Sequence, residues 1–595
     1  MPGKTLHTDA EVYDFVLIGA GSASCLIASR LSQQLPDHQI LVLEAGEHIR
    51  NDPKVQTPGL ATRLLSDPTY DWRYSSAPEP GLNNRKVDHP RGKLVGGSSA
   101  INSHSVVFPN HEWHDDRVVE ELLSDAGREE WGSRGMSDCY RRWQAEHPSS
   151  RVDDDGVSLD RVQTSYPRTW DLLRTRWVEA FEELGCPTRA TGFTESSAGA
   201  VNITNAIDSS KGERSHAGIA YLEPALKRGT VTLKTGVKVD KIAFDEALTA
   251  DGKLNARGVF EPSLILERSG IGSKKILADA NIPVLYELLG VGENLQDHLN
   301  CGLSCETQDD IPTRDEIMRS PELQKTALLE YEESHTGRVS EGAAYSFAFT
   351  PLQMLETPSD TQDLIEIVEH WMKNESNPNL KAQYSIQKAV ESPNEATTTL
   401  FMLRTQRHKD ADSLPKGTPS VVDGNCISVV AMLAHPFSRG SCHISLDSSN
   451  QPEIKFNYLS HTLDTEILAR HLRLTERLFQ KPTFAAMTKL DGRRLPRNFP
   501  HPVTSLKDAK GILPINSATN YHPCGTCSMM REDLSRVVDE RLAIYGTKNM
   551  RICDASVLPI IPRGNILTAV YAFAEKAAEI IVRETKSGLL SRQGI

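Results

Sequence analysis

The sequence predicts an α/β protein, and three observations near its start carry that prediction. Phe15-Val16-Leu17-Ile18 is an apolar run of the length of a buried parallel strand. It leads into Gly19-Ala20-Gly21-Ser22-Ala23-Ser24, after which Cys25 to Leu35 places its apolar residues at helical spacing. A second apolar run, Gln39-Ile40-Leu41-Val42-Leu43, follows and ends on Glu44. Strand, glycine turn, helix and strand in this order read as the β-α-β unit of a dinucleotide-binding fold.

Each part of that unit has a physical task. The glycines permit a tight turn, and Gly21 lets the backbone approach a pyrophosphate where the helix N-terminus offers unpaired amides and a favourable dipole. Glu44 stands at about the twenty-residue distance expected of a carboxylate that accepts from ribose hydroxyls, and it disfavours a 2′-phosphate. Ser24 takes the place of the third glycine that allows close packing of helix on strand; serine is small enough to keep the motif.

With 595 residues, 38% hydrophobic and 24% charged, the chain is long enough for two or more domains around large cores. A formal charge of -13 without a basic stretch argues against a nucleic-acid partner. The N-terminus is polar, no run is long enough to span a bilayer, and the last residues match no organelle address, so a cytoplasmic protein is expected. Ten scattered cysteines fit free thiols in a reducing compartment, and no metal site is expected.

Further along, Gly92-Lys93-Leu94-Val95-Gly96-Gly97-Ser98-Ser99-Ala100-Ile101-Asn102 is a second glycine- and serine-rich loop, suited to wrapping another part of an extended cofactor. Helical spacing is read near 112–148, over Thr169 to Leu184, and over Lys274 to Ala280. Val231-Thr232-Leu233 and Val237-Lys238-Val239 alternate like paired strands. Gly290 to His298 is turn-rich. From about Asp309 to Val421 the composition becomes polar, which marks a second domain or an insertion. Val429 to Leu446 and Glu453 to Tyr458 read as strands, and Leu463 to Phe479 as a helix.

The densest chemistry lies late, in Asn520-Tyr521-His522-Pro523-Cys524-Gly525-Thr526-Cys527, Ile552-Cys553-Asp554-Ala555-Ser556, and Arg563-Gly564-Asn565-Ile566-Leu567. Together with the opening unit, the second loop, Gly290 to His298, His435-Pro436-Phe437-Ser438-Arg439-Gly440 and Asn457-Tyr458-Leu459-Ser460, these blocks resemble the glucose-methanol-choline family of flavin oxidoreductases over nearly the whole chain. The resemblance implies a discontinuous, doubly wound, Rossmann-like FAD-binding domain over residues 11–308 and 515–588, with part of the substrate cap near 150–200. It implies an α+β substrate-binding domain over 309–514, whose antiparallel sheet roofs the flavin ring.

The same resemblance assigns FAD contacts to Gly19, Gly21, Glu44, Ala45, Trp72, Gly96, Asn102, Val239, Asp554 and Ala555. It places the catalytic base on His522 and the second catalytic residue on Asn565. Oxidising an alcohol removes a hydroxyl proton and a hydride, so a neutral imidazole suits the first and a flavin the second. Asn565 is suited to donate to the developing alkoxide without competing as a base. Relatives that bind FAD covalently use a histidine where this chain has Ile101, so non-covalent FAD is expected, with His104 nearby but off register. Cys524-Gly525-Thr526-Cys527 has dithiol spacing, and small buried thiols are the simpler reading.

The implied function is oxidation of an alcohol group of a small or medium organic molecule, an activity compatible with specialised metabolism. Electron acceptor, oxygen or another, is left open. A non-redox lyase or cyclase on the same FAD scaffold is the alternative. A third reading, an inactive truncated member, arises from Ala256 to Gly272, where a hairpin and a buried strand usual in relatives are replaced by a direct join near Phe260.

Overall fold

The computed structural model describes residues 12–145, 160–167, 172–189, 198–244, 262–354, 358–387, 395–407, 423–446, 451–497 and 499–589. The join at Phe260 and the residues leading to it, 245–261, lie outside that set. The described chain resumes with a helix at Pro262–Arg268.

The opening unit forms as the sequence predicts. Strand Phe15–Ile18 pairs in parallel with Ile40–Leu43, and between them runs a helix over Ser22–Gln34. That helix starts three residues ahead of the apolar spacing because Gly21, extended at φ -76°, serves as its N-cap with no side-chain cap bond. It stops at Leu35, ahead of Pro36, whose ring disfavours helical geometry in the residue before it.

The third strand of this sheet corrects the expected hairpin. Val231–Lys234 pairs in parallel with Ile40–Leu43, not with Val237 to Val239. Gly236, at φ +70°, turns the chain so that it stays beside the second strand, with the Val237 amide donating to the Glu44 carbonyl at 2.9 Å. Val239 is thereby delivered to the strand ends instead of folding back.

A second, larger sheet is antiparallel along nearly all its length. Its order is Arg494–Leu495, Leu299–Glu306, Cys426–Leu433, Thr398–Leu403, Ser346–Thr350, Gly199–Asn202 and Thr188–Arg189, with Ala518–Thr519 also paired to Leu299–Glu306. Only the pairing of Thr188–Arg189 with Gly199–Asn202 is parallel. Leu299–Glu306 precedes residue 309 and yet lies inside this sheet, so the sheet draws strands from both sides of that position. Alternation sorts its side chains. Ile427, Val429, Ala431 and Leu433 share a core with helix Thr462–Phe479, while Val430 and Met432 join Phe347, Phe349 and Phe401 on the opposite face.

The two ends of the chain meet in the first layer. Helix Leu567–Lys586 packs along Ser22–Gln34, and its Ala569, Ala572, Ala574, Ala577 and Ala578 keep that face small. Across this contact Arg30 and Glu575 form a buried pair, Nη2 to Oε1 at 2.6 Å, with Nε donating at 3.1 and 3.0 Å to the two carboxylate oxygens. Removing one partner of such a pair strands the other charge, so Glu575→Ala is expected to cost about 3–5 kcal/mol. Calorimetric melting of parent and variant checks this; an unshifted transition would mean that the pair contributes nothing to holding the helices.

Candidate active site

A cavity of about 1190 Å³ runs between the parallel sheet and the larger one. Gly19, Gly21, Glu44, Ala45, Trp72, Asn102, Val239, Asp554, Ala555, His522 and Asn565 all line it. These residues come from segments more than five hundred positions apart. Gly96 is not among the lining residues. At φ +98° its amide donates to the Ala20 carbonyl at 2.8 Å, and a Cβ there would stand 2.4 Å from His216 Nδ1. Gly96 therefore lets the second loop pack on the first from behind.

At the strand ends the Glu44 carboxylate braces the turn, accepting from the Ala20 amide at 2.7 Å and the Gly46 amide at 2.8 Å. A carboxylate offers about four lone-pair positions, so acceptor capacity remains for a sugar hydroxyl. A Cβ on Gly21 would meet no atom within 4 Å, so the uncapped helix N-terminus opens on free space. Gly97, at φ +53°, presses the second loop against this turn; a Cβ on it would lie 2.8 Å from the Gly21 Cα. An open, uncapped helix start flanked by a ribose-type carboxylate is the donor set that an adenine dinucleotide requires. The residues fit FAD.

Opposite, at the larger sheet, His522 is buried and tied by both backbone and ring. Its amide donates to Asp297 Oδ1 at 2.6 Å, and the same carboxylate accepts from Thr519 Oγ1 at 2.6 Å and Tyr458 Oη at 2.5 Å. His522 Nδ1 lies 2.9 Å from His298 Nδ1, and His298 Nε2 lies 3.0 Å from the Ala434 carbonyl. These partners settle the tautomers. A carbonyl only accepts, so His298 Nε2 carries the proton and His298 Nδ1 holds a lone pair. His522 Nδ1 must then donate, which leaves His522 Nε2 as an unprotonated lone pair. Asn520 Nδ2 stands 3.5 Å from that nitrogen, at the limit of a hydrogen bond.

Burial keeps both rings neutral. It pushes His298 down to about 3, and burial, then His298, then the positive charge of Arg91 push His522 well below the ordinary histidine value. Asn565 sits just after Gly564, whose φ of +77° and close approach to Val107 admit no side chain. Its Oδ1 is buried without a partner. Cys524 and Cys527 lie in the core, and burial raises both thiols. Ile101 is also buried on the cavity wall, and it has no nucleophile with which to bond a cofactor.

Asp297 and His298 were not singled out from sequence as site residues, although Gly290 to His298 was noted as a block. Their roles arise from contacts with His522, more than two hundred residues away. The cue was a carboxylate and an imidazole adjacent at the end of a glycine-rich turn.

A dinucleotide turn opening on a cavity whose far wall carries a neutral, tautomerically fixed imidazole is the layout of a cofactor-dependent redox enzyme. Family models described as GMC oxidoreductase match residues 13–259 and 436–574, and the chain belongs to that family. It is an FAD-dependent oxidoreductase acting on CH–OH donors. Dehydrogenase mpl7 of Monascus purpureus is 28% identical over 629 residues, covering 97% of each chain. The oxygen-dependent choline dehydrogenase of Escherichia coli is 28% identical over 596 residues, covering 96% of this chain and 95% of the relative. An FAD-dependent oxidoreductase from Chaetomium thermophilum superposes with a TM-score of 0.80 at 22% identity, covering 96% of this chain and 100% of that one. Among the described residues, no helix is long and apolar enough to cross a membrane.

Replacing Glu44 by Arg puts a cation where a ribose acceptor is needed and releases the Ala20 and Gly46 amides. The folded variant is expected to purify without flavin absorbance near 450 nm, a wavelength on the order of that usual for flavins. Full flavin occupancy in that variant would remove Glu44 from the cofactor site.

Proposed function

We propose that this enzyme oxidises a primary or secondary alcohol of a small or medium organic molecule, with His522 as base and Asn565 as the hydrogen-bond donor to the substrate oxygen. The observation that carries the reading is the relay Ala434 carbonyl, His298, His522, which leaves His522 Nε2 as a lone pair on the cavity wall. Bound FAD would supply the two-electron acceptor for the hydride.

The chain's own residues account for the rest. His522 Nε2 accepts the hydroxyl proton, and the Nδ1–H bond to His298 holds the imidazole in the tautomer and orientation that make this possible. Asn565 lines the cavity with its Oδ1 buried and unpartnered, and in this reading its Nδ2 donates to the oxygen as negative charge develops there. Phe347 and Phe401 from the larger sheet line the same cavity and give it an apolar wall. The choline dehydrogenase relative supports an alcohol as the substrate class.

His522→Ala is expected to slow anaerobic flavin reduction by roughly 10²–10⁴, with flavin retained. Asn565→Ala should raise the barrier by about 3 kcal/mol, the scale of one donor to a developing oxyanion. Because His522 is held neutral, the parent's reduction rate should stay level from about pH 8 down through about pH 6.5, where an unperturbed histidine would protonate. Stopped-flow reduction with an alcohol substrate measures all three. A His522→Ala enzyme as fast as the parent would place the base elsewhere.

We further propose that FAD is held non-covalently. Acid precipitation of the holoenzyme should release the flavin into the supernatant. Flavin that remains with the pellet would show a covalent bond, and His104, which also lines the cavity, would be the first residue to replace.

A further inference from the structure

Charge in the cavity opposes charge on the chain. The protein carries -13 overall, yet the only carboxylates among the described lining residues are Glu44 and Asp554, both at the cofactor end. The basic lining residues are Lys238 and Arg63, Arg91, Arg314, Arg338, Arg404 and Arg407.

Most of these arginines are committed. Arg338 pairs with Glu316, and Arg404 Nη2 lies 4.0 Å from Glu341. Arg314 donates to the carbonyls of Glu341 and Gly342 at 2.9 and 2.8 Å, and Arg91 to those of Pro90 and Tyr521 at 2.7 and 2.5 Å.

Arg407 differs from them in position. Its guanidinium donates to Asn300 Oδ1 and, at 3.5 Å, to the Asn516 carbonyl, and no carboxylate pairs with it among the described residues. A guanidinium has five N–H donors, so three have no partner among the described residues. Asn300 donates in turn to Asn520 Oδ1 at 3.1 Å, and Asn520 Nδ2 stands 3.5 Å from His522 Nε2. Arg407 is thus joined to the proton-accepting atom through Asn300 and Asn520. Burial, together with the neighbouring charge of Arg85, pushes its pKa down, which marks a cation without enough negative charge near it.

We propose that the substrate carries a carboxylate, held by Arg407, and presents its hydroxyl to His522. A planar fork with free donors matches a carboxylate bidentately, and a cavity walled by Phe347 and Phe401 makes that pair stronger than it would be in water. The substrate class is a hydroxy acid with an apolar body. The inference rests on reading the cavity as the alcohol site; anion capture by Arg407 can be tested apart from turnover.

The test is calorimetric titration of the holoenzyme with benzoate and with benzamide, which share a ring and differ in charge. Benzoate should bind at least about tenfold more tightly, the scale of a charge-assisted pair. Arg407→Gln should remove that preference by weakening benzoate while leaving benzamide as it was, and Arg407→Lys should keep part of it. The flavin spectrum reports whether each variant is folded; if the Gln variant loses flavin, the Lys variant is read instead and must still prefer benzoate. Equal binding of the two probes by the parent would overturn the proposal. So would a preference that survives in Arg407→Gln, since another group would then hold the anion. A parent that shows the preference but reduces no flavin with any alcohol would fail the alcohol reading alone.

Discussion

The contact between the first and last helices is the constraint on which the rest of the site depends. The Gly19–Gly21 turn runs straight into Ser22–Gln34, and the loop that carries Asn565 runs straight into Leu567–Lys586. The alanine-lined packing of these helices therefore sets how far the cofactor turn lies from the reacting end. The Arg30–Glu575 pair fixes their register where small side chains alone would allow sliding. Gly97 seated on Gly21, and Gly564 seated on Val107, extend the same principle of backbones held too close for a side chain.

From that frame the larger sheet gains its function by alternation. One face is committed to the helix Thr462–Phe479, and the other is left to wall the cavity with Phe347 and Phe401. The strand Leu299–Glu306 and the residues just before it carry the polar chemistry. Asn300 is the second residue of Leu299–Glu306, two positions after His298, so one short segment supplies the carboxylate that holds the His522 backbone, the imidazole that sets its tautomer, and the amide that reaches Arg407.

The parts of this arrangement that were legible in the sequence are those whose cause is local. The strand, the glycine turn and Glu44 are determined by residues within one β-α-β unit, and the structure shows them as read. His522 and Asn565 were legible through motif blocks, and both line the cavity. Where the cause is distant, local reading failed. Val231 to Val239 has the alternation of a hairpin, but a parallel partner in Ile40–Leu43 was available and Gly236 directs the chain along it. The conformation of Gly96 likewise answers to His216, 120 residues later in the order of the chain, a packing demand that no local pattern announces. Arg407 carries no local pattern, and His298 only the cue of an imidazole beside a carboxylate after a glycine-rich turn; the meaning of both lies in which atoms face them.

Electrostatics ties the base to the proposed anion. Burial depresses the His522 imidazole most, and His298 and then the positive charge of Arg91 add to it. That keeps His522 Nε2 free to accept a proton, but it also weakens it as a base. A carboxylate on the substrate answers both demands. Burial, His298 and Arg91 hold the imidazole neutral, and an anion seated on the guanidinium groups would offset the Arg91 contribution and raise the proton affinity of His522 as the hydroxyl is presented. A neutral alcohol would meet the same ring without that compensation. The arginine wall would then select substrate through the strength of the base as well as through binding, so discrimination would fall on the rate of proton removal and not on affinity alone.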